Sequence, residues 1–276
     1  MFVGLLTSPL RDWSLKKLVD WASTNGFKGL EINVSPTLKQ LDVNRVLNGG
    51  AREVRQAFAG KDVEITSLAF YSLKILENPE DQKFLEKVME AASILDVKVV
   101  CTMAGGPVAG KDKKQTLRED FPRVFNPIVD KAKENGLKIA LENWYATNLQ
   151  GLDHFQTALE AVPDKALGLN FDPSHLLWQQ IDYVEAVYRF AERIHHTHAK
   201  DTEILWFKLR EVGVLGRGWW RYRIPGWGRV DWPAYLTALK DVKYDYVLSI
   251  EHEDQFFTPE AGFLKGKRYL ENLLFK

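Results

Sequence analysis

The chain has 276 residues, close to the roughly 250 that one (β/α)8 barrel uses. Its 45% hydrophobic and 27% charged residues are an ordinary globular balance that can bury a core without disulfide staples. Lysine plus arginine total 37 and aspartate plus glutamate total 37, so no global field draws the chain to nucleic acid or an anionic membrane.

The N-terminal MFVGLLTSPLRDW has no basic segment before its apolar residues, so it does not read as a signal peptide. No stretch approaches 18 uncharged apolar residues, so no membrane span is expected. Strand-like runs fall at 2–7, 28–34, 63–70, 97–103, 137–142, 167–172, 194–199 and 246–251. Most are short and apolar, as strands covered on both faces should be. Helical patterns alternate with them at 14–25, 43–60, 80–95, 115–135, 153–161, 180–192, 232–241 and 259–273. Ser14, Asp153 and Asp231 are suitable N-caps, and Gly26 and Gly136 suitable stops. Eight strand–helix pairs predict an α/β fold, a single (β/α)8 TIM barrel over residues 1–276 with its active site at the C-terminal face of the strands.

Within the fourth strand, VKVVCTM carries the sole cysteine, Cys101. It cannot form an intrachain disulfide, reads as a buried thiol, and fits a cytoplasmic protein. Just beyond, Gly105 to Lys111 matches G-x-x-x-x-G-K, but Asp112 follows where a phosphate loop needs Ser or Thr. The segment therefore reads as a strand-to-helix loop.

The last four strands each end on a metal-competent group: Glu142 in IALENW, Asp172 in LGLNFDPSH, His198 in IHHTHAKD and Glu251 in VLSIEHED. In a parallel barrel these ends open on one face. Three carboxylates and an imidazole suit one divalent ion, with Mn²⁺, Mg²⁺, Co²⁺ or Zn²⁺ as candidates. Four ligands leave positions open for substrate oxygens. By strand alternation His196 shares the His198 side while His195 and His252 point away. Glu31 points into the barrel and can brace a neighbour or touch substrate. Lys200 and Asp201 suit either a substrate contact or a loop ion pair, and His154 reads as a surface residue.

The irregular segment 202–230 contains WWRYRIPGWGRVDW, dense in Trp, Arg and Gly. Its place after strand seven puts it on the active-site face. Of the nine tryptophans, Trp144, Trp178, Trp206, Trp219, Trp220 and Trp227 fall near the mouth, where flat rings suit sugar faces. Trp13, Trp21 and Trp232 fit helix packing. An aromatic loop of this kind also suits a homo-oligomer interface.

LEN at 141–143, D-x-x-H from Asp172 to His175, H-x-K-D from His198 to Asp201 and IEHED at 250–254 together resemble the xylose-isomerase-like superfamily, in particular its sugar phosphate isomerase/epimerase branch with the ketose 3-epimerases. The resemblance implies one divalent metal, foremost Mn²⁺, on Glu142, Asp172, His198 and Glu251. It implies substrate contacts from His175 and a loop arginine, Arg223 with Arg221 as runner-up; Lys200, Trp144 and Trp178 are further substrate-binding candidates. The implied reaction is proton abstraction beside a carbonyl through a metal-stabilised enediolate, with Glu142 and Glu251 as the acid–base pair on a small carbohydrate. A lyase or dehydratase on a keto-sugar, keto-glycoside or inositol derivative uses the same chemistry. An apurinic endonuclease needs further ligands, yet the first four strands hold no histidine. A non-catalytic sugar-binding barrel is the remaining alternative.

Overall fold

The computed structural model describes residues 1–38 and 40–274. Eight parallel strands close into a barrel: β1 (Phe2–Leu6), β2 (Gly29–Asn33), β3 (Glu64–Ala69), β4 (Val99–Met103), β5 (Lys138–Glu142), β6 (Leu167–Phe171), β7 (Ile194–Ala199) and β10 (Val247–Ile250). All eight expected strands are present. They follow one another around the barrel in chain order, and β10 closes it against β1 through Val3↔Leu248 and Gly4↔Ser249. Between β7 and β10 the chain adds an antiparallel pair, β8 (Asp201–Ile204) and β9 (Trp220–Arg223).

The outer layer is α1 (Leu15–Thr24), α2 (Val43–Arg45), α3 (Ala51–Phe58), α4 (Pro79–Leu95), α5 (Lys113–Glu119), α6 (Phe121–Glu134), α7 (Leu152–Ala161), α8 (Pro173–Leu177), α9 (Tyr183–Arg189), α10 (Trp206–Val212), α11 (Trp232–Asp241) and α12 (Pro259–Leu273). Local chemistry explains where these depart from expectation. The helix expected over 43–60 is broken at Asn48–Gly49–Gly50, where Gly49 takes φ 97°, a conformation an L side chain resists. The helix expected over 115–135 divides at Asp120, and Pro122 opens the second piece, where its missing N–H costs nothing. Ser14 and Asp231 cap as expected. Asp153 does not: α7 is capped at Gly151, and His154 Nδ1 accepts the Gly151 N–H at 3.3 Å. His154 is thus a half-buried cap, not a free surface group. Asp112, which spoils the phosphate-loop match, caps α5 with Gln115.

The principal core lies between barrel and helices, with Leu5, Leu30, Ile32, Phe121, Phe125, Phe155, Phe171, Trp232 and Phe263 fully or almost fully buried. Leu6, Ala69, Val99, Cys101 and Ala140, all on barrel strands, form a smaller, separate buried cluster. No helix among the described residues is long and apolar enough to cross a membrane.

The segment 202–230 is more ordered than its composition suggests. Asp201 is its hub. Its Oδ1 accepts the N–H groups of Thr202 (2.8 Å) and Val230 (2.9 Å). Its Oδ2 accepts Gly226 N–H (3.0 Å) and the Trp232 indole (2.9 Å). Asp201 therefore folds the loop rather than meeting substrate or an ion-pair partner. A Cβ on Gly228 would lie 2.2 Å from Asp201 Oδ1, so only glycine lets the loop pass there.

Candidate metal centre

Glu142 ends β5, Asp172 follows β6, His198 lies near the end of β7, and Glu251 follows β10. The closed parallel order brings the four to one mouth, and one donor atom from each lies within 4.8 Å of all the others. His198 Nδ1 is 3.0 Å from Glu251 Oε2, 3.3 Å from Glu142 Oε1 and 3.9 Å from Asp172 Oδ2. Asp172 and His198 are fully buried and Glu142 nearly so. Yet Asp172 Oδ2 and His198 Nδ1 make no hydrogen bond with any described residue. Orphaned donors cost free energy in a dry interior. Two of them converging with two further carboxylates are what a hard or borderline divalent cation needs. The donor set therefore fits a metal ion.

Compensating charge inside this acid cluster comes from two cations. Lys200, only 1% exposed, places Nζ 2.6 Å from Glu251 Oε2, 3.3 Å from Asp172 Oδ2 and 3.4 Å from Glu253 Oε2. Burial alone would depress this ammonium, but Glu251, Asp172 and Glu253 hold it well above the usual lysine range. Burial likewise works against a charged His198, and Glu31 and Glu251 override it, raising that imidazole well above its ordinary value. Burial would raise Glu251, but Lys200 and His198 draw it down to about 2. Glu142 also falls below the usual carboxylate range: burial raises it, and His175 and His198 outweigh that. Glu142 and Glu251 are thus favoured in their ionised form, as carboxylates that attract positive charge must be.

The other expected residues separate into two groups. His175 joins the site, its Nε2 3.2 Å from Lys200 Nζ and 3.5 Å from both Glu142 Oε1 and Asp172 Oδ2. Tyr222 Oη lies 2.6 Å from His175 Nδ1, an orienting partner that the sequence analysis did not single out. Arg223 is drawn to carboxylates on two sides: Nε donates to Asp254 in the loop after β10 at 2.7 Å, and Nη1 to Glu203 of β8 at 2.5 Å. Arg221 donates to the same Glu203 at 2.8 Å. Trp178 stacks on Trp220 at 4.5 Å, and Trp144 joins them edge-on through Tyr145. Trp219 is buried, whereas Trp206 and Trp227 stay half exposed. A cavity of about 600 Å³ is lined by Trp220, Arg221, Tyr222, Glu253, Gln255 and Phe256, within the size range of small-molecule sites. Glu253 and Tyr222 link it to Lys200 and His175.

Beneath the donors lies a polar floor. Glu31, Asn170, His196 and Ser249 are fully buried. His196 Nδ1 meets Asn170 Oδ1 at 2.9 Å and its Nε2 meets Thr66 at 3.4 Å. His195 turns outward to Lys165 O at 3.0 Å. His252 packs away from the mouth on Phe263. Glu31, Cys101 and His196 also approach one another closely, but Glu31 and His196 are occupied by hydrogen bonds within the floor.

The sequence from 19 to 273 matches the family described as xylose isomerase-like TIM barrel. An uncharacterised protein, YfiH of Bacillus subtilis, is 28% identical, with 95% of this chain and 96% of that one covered. The inosose dehydratase of Clostridium perfringens is 24% identical, with 89% and 85% covered. Among solved structures, the 3-keto-D-glucoside 4-epimerase YcjR of E. coli superposes with TM-score 0.74 at 17% identity, covering 99% of each chain. The IOLI protein, solved with a bound zinc atom, superposes with TM-score 0.73 at 21% identity, covering 99% of this chain and 95% of that one.

Proposed function

Because the chain belongs to the xylose isomerase-like TIM barrel family, we propose that it is a divalent-metal-dependent isomerase or epimerase that moves a proton beside the carbonyl of a small carbohydrate. The observation that carries this reading is the convergence of Glu142, Asp172, His198 and Glu251, two of them with buried atoms that make no hydrogen bond among the described residues. These four residues would hold the metal. Three carboxylates and one imidazole are compatible with Mn²⁺, the first candidate by family resemblance, and with Mg²⁺, Co²⁺ and Zn²⁺. When bound, the ion supplies positive charge where the substrate oxygen gains negative charge.

The chain's own residues divide the remaining work. Glu142 and Glu251 are the proton carriers, one removing the proton and the other returning it. A carboxylate has two oxygens, so a group that holds an ion with one can present the other to substrate. His175, fixed by Tyr222 at Nδ1, presents Nε2 to the site and binds a substrate hydroxyl. Lys200 binds a second oxygen. Trp144 and Trp178 belong to an aromatic wall suited to the apolar face of a sugar ring. Arg221 lines the cavity, and both it and the buried Arg223 have their charge already balanced by Glu203 and Asp254. That balance favours an uncharged polyol or keto-sugar over a phosphorylated one.

A dehydratase is the second reading, favoured by one observation besides the inosose dehydratase relative. Expelling a β-hydroxyl as water requires an acid, and Lys200 Nζ is a buried ammonium within 2.6 Å of a proposed base, Glu251. In that case one glutamate takes the proton beside the carbonyl, a carbon–carbon double bond forms, and Lys200 protonates the leaving hydroxyl.

Metal content by mass spectrometry, paired with proton exchange in D₂O over ketoses, keto-glycosides and inososes, tests the proposal. About one metal per chain, with deuterium entering one carbon only in the loaded protein, is the expected result. Exchange without product water identifies the epimerase, and water release identifies the dehydratase. Metal binding with no exchange on any substrate favours a binding barrel, and no metal after reconstitution overturns the proposal.

A further inference from the structure

Glu31 has no part in the reaction just described, yet its carboxylate is fully buried at the centre of the barrel. Its partners explain why it is there. Glu31 Oε2 lies 3.1 Å from His198 Nε2 and accepts the Ser249 hydroxyl at 2.7 Å. Its Oε1 accepts the Tyr71 hydroxyl in a short hydrogen bond. The three strands involved, β2, β7 and β10, meet only because the barrel is closed: β10 pairs with β7 through Ser249↔His198 and with β1, which in turn pairs with β2.

The donors and acceptors around His198 Nε2 settle which way its proton lies. Tyr71 Oη is 3.2 Å away and Asn170 Nδ2 is 3.0 Å away. The tyrosine hydrogen is committed to Glu31. The Asn170 amide oxygen is committed to His196, so its NH₂ side faces His198. Of the three neighbours, only the carboxylate of Glu31 is an acceptor with no competing donor role. A proton on Nε2 therefore points to Glu31, and it is the Nδ1 proton, on the side of Glu142, Asp172 and Glu251, that a cation would displace to take up the lone pair. This is the arrangement in which a carboxylate behind a histidine fixes its tautomer and strengthens it as a ligand.

We propose that Glu31 is a positioning residue for the metal centre: it holds the Nε2 proton of His198 so that Nδ1 faces the cation, and Tyr71 and Ser249 hold Glu31 in place. The inference rests on the proposed metal-binding role of His198, and it is independent of which reaction the metal serves. In Glu31→Gln, the amide can donate to Nε2 instead, which favours the opposite tautomer and turns an N–H toward the metal.

The test is Co²⁺ titration of the full-length protein after chelator treatment, followed by calorimetry and visible absorption. Glu31→Gln should weaken Co²⁺ binding by about tenfold or more and shift the absorption bands, while far-ultraviolet circular dichroism stays as in the wild type. Glu31→Asp should recover part of the affinity. Tyr71→Phe removes one of the two hydroxyls that hold Glu31 and should give a smaller loss in the same direction, which keeps the test intact if Glu31→Gln fails to fold. Wild-type affinity and wild-type bands in both Glu31→Gln and Tyr71→Phe would overturn the proposal. A wild-type protein that binds no Co²⁺ would overturn the metal centre itself. Metal binding without carbohydrate proton exchange would overturn the proposed function and leave the role of Glu31 standing.

Discussion

His198 has acidic neighbours on both ring edges: Glu142, Asp172 and Glu251 toward Nδ1, and Glu31 toward Nε2. The first group was legible in the sequence, because each acid directly ends or follows an apolar run. Glu31 was legible as an inward-facing group that could brace a neighbour or touch substrate, but not as a partner of His198. Its partners, Tyr71 and Ser249, are 40 and 218 residues away in the chain, and no local pattern announces them. Tyr222 was missed for a similar reason: in WWRYR it is one aromatic among several, and only the hairpin aims its hydroxyl at His175. Three outcomes are expected at this scale. Glu142→Gln and Glu251→Gln should each lower kcat by roughly 10²–10⁴-fold with the circular dichroism spectrum unchanged; full turnover in either would remove that residue from the acid–base pair. Tyr222→Phe frees His175 Nδ1 and should raise KM several-fold with a smaller change in kcat. An unchanged KM would show that His175 keeps its orientation unaided. Arg223→Ala should also raise KM by weakening binding, and an unchanged value would move the substrate contact to Arg221.

The strands were easier to read than the segment between β7 and β10. Parallel barrel strands are buried on both faces, so they appear as plain apolar runs whatever surrounds them. The hairpin of β8 and β9 carries alternating charged and aromatic residues, as in WRYR, and such a pattern suits a loop as well as a strand. Its order comes from Asp201, which gathers four N–H groups from residues 202 to 232. Burial pushes this carboxyl upward in pKa, and those hydrogen bonds oppose the shift without cancelling it. Asp201→Ala would leave these donors unpaired in a buried place, at a cost of about 1–3 kcal/mol for each that water cannot reach. Limited proteolysis should then cut within 205–230 well before the barrel unfolds, whereas the wild type should resist. Equal resistance in both would show that the aromatic stacking of Trp178, Trp219 and Trp220 orders the loop alone. The broken helices follow the same logic of local chemistry: Asn48–Gly49–Gly50 and Asp120–Pro122 interrupt amphipathic patterns whose regularity led to unbroken helices being expected over 43–60 and 115–135.

For the whole molecule, the eightfold rhythm was the strongest signal, since each strand–helix unit repeats the same demand for burial. A metal held by the proposed donors at the ends of β5, β6, β7 and β10 would tie half of that circle together. Any ligand that binds only the folded chain adds stability by mass action, so an ion at 100 times its Kd should contribute about 2.7 kcal/mol. That corresponds to a rise in Tm of about 5 °C for a chain of this size. Chelator should remove the rise, and Asp172→Asn should abolish it; a Tm indifferent to metal and chelator would argue against the centre. The pairing of β1 with β10 has a further consequence in time. During synthesis β1 emerges before the other seven barrel strands and must wait for all of them before its partner β10 exists. Glu251 arrives with that same last strand. The four-residue donor set is therefore incomplete on every nascent chain whose barrel is still open, and full coordination of a cation by it would wait for the barrel to close.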